Sequence, residues 1–409
     1  MFAKALTGSR KYWLWLALLL AIIIVGFIFY YKQYTQGLGV TGMSRDVSWG
    51  LYLANFTFLV GVAASAVMVV LPYYLHNHKE FRRITTLGEF MAIPAIVMCI
   101  LFVTVDLGQP TRLFNILLHP SPNSLLFWDV FVLTVYLLLN LVIGWYVLSA
   151  RHKEKSPGAW ITVLILISIP WAISIHTITA FIYSGLAARP FWMTALLAPR
   201  FLASAFSAGP ALLIIACLVL RRFTTFDPGK EAIQRMAQIV TYALIAAVFF
   251  FLVETFTVLY SNMPEHTNHF WYLIKGLEGK TGLVPWMWTT LAFWVVAIVL
   301  LVNPATRKNE ITLVIALVLV AVSMWIDKGL GLMVPGFLPS PTGELTEYLP
   351  TVTEWLITIG IWAIGIFVLT ILYKIAISVF RETGEDKPSP VEDTPGPEQL
   401  TLVPLAGEE

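Results

Sequence analysis

Charge is what this sequence has least of: 12% of its 409 residues are charged, and 26 Lys and Arg nearly balance 24 Asp and Glu. With 58% of the chain hydrophobic, a water-facing surface cannot be assembled from what remains, so the chain must face lipid. No basic tract interleaved with aromatics occurs and the net charge is only +2, which excludes a nucleic-acid partner. Cysteine is nearly absent. Cys99 and Cys217 each sit in an apolar stretch outside any CxxC or haem-attachment pattern, so they read as small core residues and no iron-sulfur cluster is expected in this chain. Histidine is scarce too. A bis-His b-haem needs paired histidines within membrane spans, and only His176 lies deep in one. His76, His78, His119, His152, His266 and His269 fall at span ends or in loops, so no haem is expected either.

What is abundant is apolar sequence in long runs without strand alternation, the pattern of an all-α polytopic membrane protein. Ten spans are expected, near 13–31, 48–75, 85–106, 123–149, 160–184, 201–220, 236–260, 286–303, 310–327 and 352–378. The first follows Lys4, Arg10 and Lys11 like a signal peptide. No small-x-small cleavage pattern follows Tyr30 and Tyr31, so it reads as a retained anchor. Counting cations in alternate loops puts 18 of the 26 Lys and Arg on the side holding both termini. The other side has eight, Arg200 and Lys328 among them, which makes both termini cytoplasmic. The far-side loops, notably 185–200 and 327–350, carry Pro, Gly and aromatics in place of solvating charge, as a docking surface would. From residue 384 the chain turns acidic and Pro-rich, and a disordered cytoplasmic tail is expected.

Ionisable groups inside a bilayer are costly, so each is a functional candidate. At 1.5 Å per residue Asn55 lies roughly 10 Å and Asp129 roughly 9 Å below the far face. Asp106 closes the third span at that face. His176 and Glu254 lie eight and six residues short of it. Asn55, Asp106, Asp129 and His176 come from four consecutive spans, which suits a pocket in one four-helix bundle. Such groups beside an apolar slot fit a quinone head group, whose two carbonyl oxygens need hydrogen-bond partners and whose reduction needs protons. The alternative is that each polar group only bonds a neighbouring helix. Glu89 and Asn140 lie nearer the cytoplasmic side and extend a polar path inward; for Glu89 the alternative is snorkelling beside Arg82 and Arg83.

Three stretches carry a family likeness. The first is Asp106-Leu107-Gly108-Gln109-Pro110-Thr111-Arg112-Leu113-Phe114 with 122–129. The second is His176-Thr177 through Ala188-Arg189-Pro190-Phe191-Trp192. The third is Asp327-Lys328-Gly329 through Pro335-Gly336-Phe337, Pro341-Thr342-Gly343-Glu344 and Tyr348-Leu349-Pro350. Together they resemble the NrfD/PsrC family of quinone-interacting (polysulfide reductase) membrane subunits, in its ten-helix branch with DsrP, QrcD and HmcC. The resemblance implies two four-helix bundles with flanking helices: an N-terminal helix and loop in 1–47, a first bundle with the quinone pocket in 48–200, a second in 201–351, a last helix in 352–383 and the tail in 384–409. It implies menaquinone as the bound substrate, with Trp49, Asn55, Asp106 and His176 as quinone contacts. Glu89, Asp129 and Glu254 would handle protons, and Arg112, Arg189 and Trp192 would meet the partner. That partner would be a periplasmic ferredoxin-like iron-sulfur subunit, with multihaem cytochrome c or molybdopterin-type proteins beyond it, at a bacterial cytoplasmic membrane. No metal ligand is assigned to this chain. A secondary transporter and a passive anchor for a periplasmic oxidoreductase are the competing readings. The charge asymmetry carries a test: a single reporter cysteine in the 185–200 loop is expected to label from the periplasmic side of intact cells. Labelling from the cytoplasm alone would invert the topology.

Overall fold

Ten helices long and apolar enough to cross a bilayer make up the computed structural model, which describes residues 2–386 apart from 77, 156–157 and 339–342. They are Arg10–Gln36 (α1), Leu51–His76 (α2), Arg82–Asp106 (α3), Leu125–His152 (α4), Ala159–Ser184 (α5), Leu197–Phe223 (α6), Lys230–Ser261 (α7), Val284–Val302 (α8), Glu310–Phe337 (α9) and Val352–Glu382 (α10). No strand occurs among the described residues, only an isolated bridge between Leu277 and Lys280. All ten expected spans are present. The ninth differs in kind. Its regular α-helix ends at Trp325, Ile326–Leu330 form a π turn, and the chain stays helical to Phe337. The expected loop over 327–350 therefore begins only after Phe337. Asp327 and Lys328 looked like the polar end of an apolar run, but the π turn rotates both inward to buried partners.

Helices α2, α3, α4 and α5 pack in a ring, as do α6, α7, α8 and α9, and the two rings meet where α2 and α5 lie against α6 and where α2 lies against the π turn of α9. Outside them α1 pairs along its length with α10, which leans on α3. That pairing rests on glycine: a Cβ on Gly360 would come within 2.8 Å of the Gly26 Cα, so the two backbones approach closely only because neither residue has a side chain.

The loop ends that the cation count placed together do meet. On one face Lys4 pairs with Glu382, Arg82 and Arg151 with Glu385, Arg221 with Glu310, and Arg235 with Glu80. The expected tail thus starts later than 384, because Glu385 holds two loops there; residues 387–409 lie outside the described residues, as do Pro339-Ser340-Pro341.

The opposite face is locked by aromatic packing. Trp192 donates its indole N–H to the Leu332 carbonyl at 2.9 Å and stacks among Trp49, Tyr183 and Phe337 with ring centroids 5.2 to 5.8 Å away. Its ring lies against Gly336, where a Cβ would come within 2.0 Å of it. Trp192 is fully buried, so the expectation that it meets a partner is corrected: it is spent pinning its own loop to α9. Arg189 lies 4.6 Å over Phe337. The buried His269, on the short helix Pro264–Ile274, donates from Nδ1 to the Pro335 carbonyl at 2.7 Å, and burial holds its pKa down at about 4. Beside them Glu354 accepts from the Gly42 and Thr351 amides and from the Tyr348 hydroxyl, which itself accepts from the Leu51 amide. One buried carboxylate thereby ties the N-terminal loop and the starts of α2 and α10.

Gly360→Leu is expected to separate α1 from α10 while leaving both rings assembled. A disulfide-trapping pair of cysteines across α1 and α10 should lose its crosslink in that variant. Unchanged trapping would mean that the glycine contact does not hold the pair.

Candidate functional site

The outer half of the two rings holds a set of charged side chains within the hydrocarbon layer. Arg200, from the first turn of α6, donates from Nη1 to Glu254 Oε2 of α7 at 2.7 Å and from Nη2 to Asp327 Oδ1 on the π turn of α9. All three are buried, and the guanidinium also lies 5.1 Å over the Phe251 ring. A planar fork suits this position, since its two ends reach carboxylates on different helices, where a single ammonium could not. Asp327 and Lys328, adjacent on the π turn, diverge. Asp327 turns to Arg200 in the second ring. Lys328 reaches towards the first ring, its Nζ 3.2 Å from where a Cβ on Gly61 of α2 would stand. The Lys328 ammonium lies 4.3 Å over the Phe201 ring and makes a long 3.4 Å bond to the Phe201 carbonyl. Two cations and two carboxylates form a set with no net charge, which is how ionised groups are tolerated in a bilayer. Arg200 and Lys328 were counted with the far-side loops; both belong inside the membrane, and removing them from the loop tally sharpens the charge asymmetry.

Across from Lys328, within Coulombic range, stands His176 of α5, fully buried. Its Nδ1 lies 3.3 Å from the Ala172 carbonyl, which can only accept, so the proton sits on Nδ1. Nε2 is left as an acceptor with no partner among the described residues. One turn on, Thr179 donates to Asp129 Oδ1 at 2.6 Å. Tyr183 shares a 2.6 Å hydrogen bond with Thr57 and closes the outer end of this interior together with Trp49. The void among Arg200, Phe201, Ser204, Asp327, Lys328 and Leu332 measures about 10 Å³, room for one water.

The four polar groups expected to share one pocket do not all converge. Asn55 faces away from the first ring: its Oδ1 accepts from the indoles of Trp325 at 3.0 Å and Trp362 at 2.9 Å, and its Nδ2 donates to the Leu51 carbonyl. It borders a separate cleft of about 470 Å³ between α1, α2, α9 and α10. Asp106, half-buried at the outer end of α3, leaves Oδ1 unpartnered on the side facing Glu354 and Tyr52. Asp129 and His176 do share the interior of the first ring. Glu254 is an ion-pair partner in the second ring. Glu89 is buried towards the termini face with Oε2 unpartnered, and Asn140 donates to the Tyr136 carbonyl. Arg112 is exposed on the outer surface. The residues that sequence reasoning missed are Arg200, Asp327 and Lys328. Only their position at the edge of apolar runs could have marked them, and the same position marks ordinary loop ends.

The family model described as Polysulphide reductase, NrfD matches residues 39–338, and the chain belongs to that family. It is similar to the putative dimethyl sulfoxide reductase membrane subunit of Halobacterium salinarum, 24% identical over 346 residues covering 79% of this chain and 77% of that protein. It is also similar to the Hdr-like menaquinol oxidoreductase integral membrane subunit of Archaeoglobus fulgidus, 24% identical over 306 residues, 75% and 74% of the two chains. The menaquinone reductase integral membrane subunit of Nitratidesulfovibrio vulgaris aligns over 406 residues at 22% identity, 92% of this chain and 93% of that one.

Arg200→Met would leave Glu254 and Asp327 without a counter-ion and is expected to destabilise the protein by about 3–5 kcal/mol. The measurement is thermal unfolding in detergent. The quadruple variant Arg200→Met, Lys328→Met, Glu254→Gln, Asp327→Asn should recover most of that loss, because none of the four charges remains. Equal stability of the single variant and the unmodified protein would show that the three groups are not ion-paired in the membrane.

Proposed function

We propose that this chain is the quinone-reactive membrane subunit of a multi-subunit oxidoreductase. It exchanges electrons between menaquinone or menaquinol, its substrate, and a periplasmic ferredoxin-like iron-sulfur subunit, with a multihaem cytochrome c or molybdopterin-type subunit beyond. The setting is a bacterial cytoplasmic membrane with both termini cytoplasmic. Family membership supports this reading, as do relatives named as subunits of a menaquinol oxidoreductase and of a menaquinone reductase. The observation that carries it is the unpartnered Nε2 of His176, fully buried and within Coulombic range of the Lys328 ammonium.

The chemistry follows from the two groups. Oxidising a quinol releases two protons with two electrons, and an imidazole nitrogen holding a free lone pair accepts a proton from a phenolic hydroxyl within hydrogen-bond reach. The adjacent ammonium stabilises the negative charge that grows on the oxygen as the proton leaves. Asp129 lies a turn away on the same interior and can take the proton onward, while Asp106 at the outer end of α3 offers a second acceptor. Glu254 stays committed to Arg200, and Glu89 marks a route towards the cytoplasmic side. Electrons pass to or from the partner over the outer face, where Arg112 and Arg189 present cations.

His176→Asn in the assembled complex is expected to lower quinol turnover about 100-fold or more. Reaction of the soluble partner with an artificial electron carrier should persist, which separates chemistry from anchoring. Turnover at the unmodified rate would remove His176 from the quinone site.

A further inference from the structure

The end of the first ring nearest the chain termini holds a second group of polar atoms that the outer site does not use. Arg82, Thr86 and Glu89 stand at positions i, i+4 and i+7 of α3 and so share one face of that helix. Thr86 lies roughly 6 Å and Glu89 roughly 10 Å further along it than Arg82. Thr86 Oγ1 and Glu89 Oε2 are buried and have no hydrogen-bond partner among the described residues. Arg151, from the last turn of α4, lies within Coulombic range of Glu89, and its Nη1 is a third such atom. That nitrogen stands 3.5 Å from Oε2 of Glu385, which is the fourth. Buried polar atoms without protein partners are satisfied by water, and these four mark a line from the surface to Glu89 that water can follow.

What covers this line is the turn that follows α10. Gly384 takes a positive φ of 70°, and the Glu385 amide returns to the Phe380 carbonyl at 2.8 Å, the six-to-one bond of a Schellman cap. The turn carries Glu385 across the end of the first ring, where its Oε1 accepts from Arg82 at 2.7 Å. One residue on, the Asp386 carbonyl accepts from the Asp227 amide, in the loop between α6 and α7, at 2.8 Å. The two sides of Gly384 are held differently. Before it, Phe380 is fully buried, 5.9 Å from the Phe226 ring and 5.4 Å from the Arg151 guanidinium. Beyond it, residues 385 and 386 are held by backbone hydrogen bonds and by ion pairs, with the Arg82 side chain 54% exposed. Ion pairs at a surface contribute little each and are screened by salt, so this turn can open while the helix behind it stays packed.

We propose that residues 384–386 form a lid over a water inlet to Glu89, with Gly384 as its hinge and Arg82 and Arg151 as its latch. Closed, Glu385 bridges the two guanidiniums and covers the ends of α3 and α4. Open, the guanidiniums face solvent and water reaches Thr86 and Glu89. This inference rests on the proposed route through Glu89, and it makes that route conditional on the position of the lid.

The test uses the full chain in its complex, in nanodiscs, where both faces meet solvent. Thr86→Cys places a small thiol on the line, and a membrane-impermeant methanethiosulfonate reads its accessibility. Labelling is expected to be slow with Glu385 in place and about 5–10-fold faster when Glu385→Gln is added, which removes both ion pairs. High ionic strength should speed labelling of the Thr86→Cys variant several-fold and add nothing once Glu385→Gln is present. Rates that respond neither to Glu385→Gln nor to salt would overturn the lid. Labelling requires no turnover, so that result leaves the quinone reading standing, whereas unmodified turnover in His176→Asn overturns the quinone reading and leaves the labelling rates as they are. Label that spreads to the buried Cys99 and Cys217 would show general loosening of the fold and would overturn the lid too.

Discussion

The contact on which the outer half of the molecule depends is the guanidinium of Arg200 held between two carboxylates inside the bilayer. A lone charge at that depth is unfavourable by several kcal/mol even on the mildest insertion scales, and every charge here is offset by another. Satisfying Arg200 requires α6, α7 and α9 to meet at one level, and the π turn in α9 lets Asp327 reach it while Lys328, the next residue, points elsewhere. The second ring is fastened by that set. Through Lys328 the same turn enters the neighbourhood of α2 and His176, so the two rings share one electrostatic element rather than merely touching.

Around this element the outer face is made rigid by neutral means. Trp192, Trp49, Tyr183 and Phe337 fill the space over the first ring, and Gly336 lets an indole lie on backbone. Glu354 gathers amide hydrogens from loops that would otherwise present unsatisfied donors near lipid. Loops held in this way form a fixed surface on which Arg112 and Arg189 are cations.

The interior has two regions of different character. One is charged and closed, with a water-sized void beside the ion pairs. The other is apolar and open to lipid. Helix α2 separates them, with Asn55 and Phe58 facing the cleft and Thr57 and Gly61 facing the charged interior. A single helix thus borders a lipid-facing cleft on one face and the buried charged interior on the other, as its 3.6-residue repeat allows.

What the sequence determined by itself was what depends on apolar length and alternation: ten helices, and which of their loops share a face. Apolar length and cation bias are summed over many residues, so no single contact can alter them. The candidate residues were legible as types, because Asn55, Asp129, His176 and Glu254 stand out in runs of Leu, Ile, Val and Phe. Their grouping was not. Asn55 and Thr57 are two residues apart, yet helical geometry turns one to the cleft and the other to Tyr183. Arg200, Asp327 and Lys328 sit where apolar runs meet polar sequence, and the letters there are the same whether a helix ends or a π turn carries the charges inward. Only the tertiary structure decides such positions, since a buried charge is defined by the partner opposite it, and that partner lies 54 residues away in one case and 127 in the other.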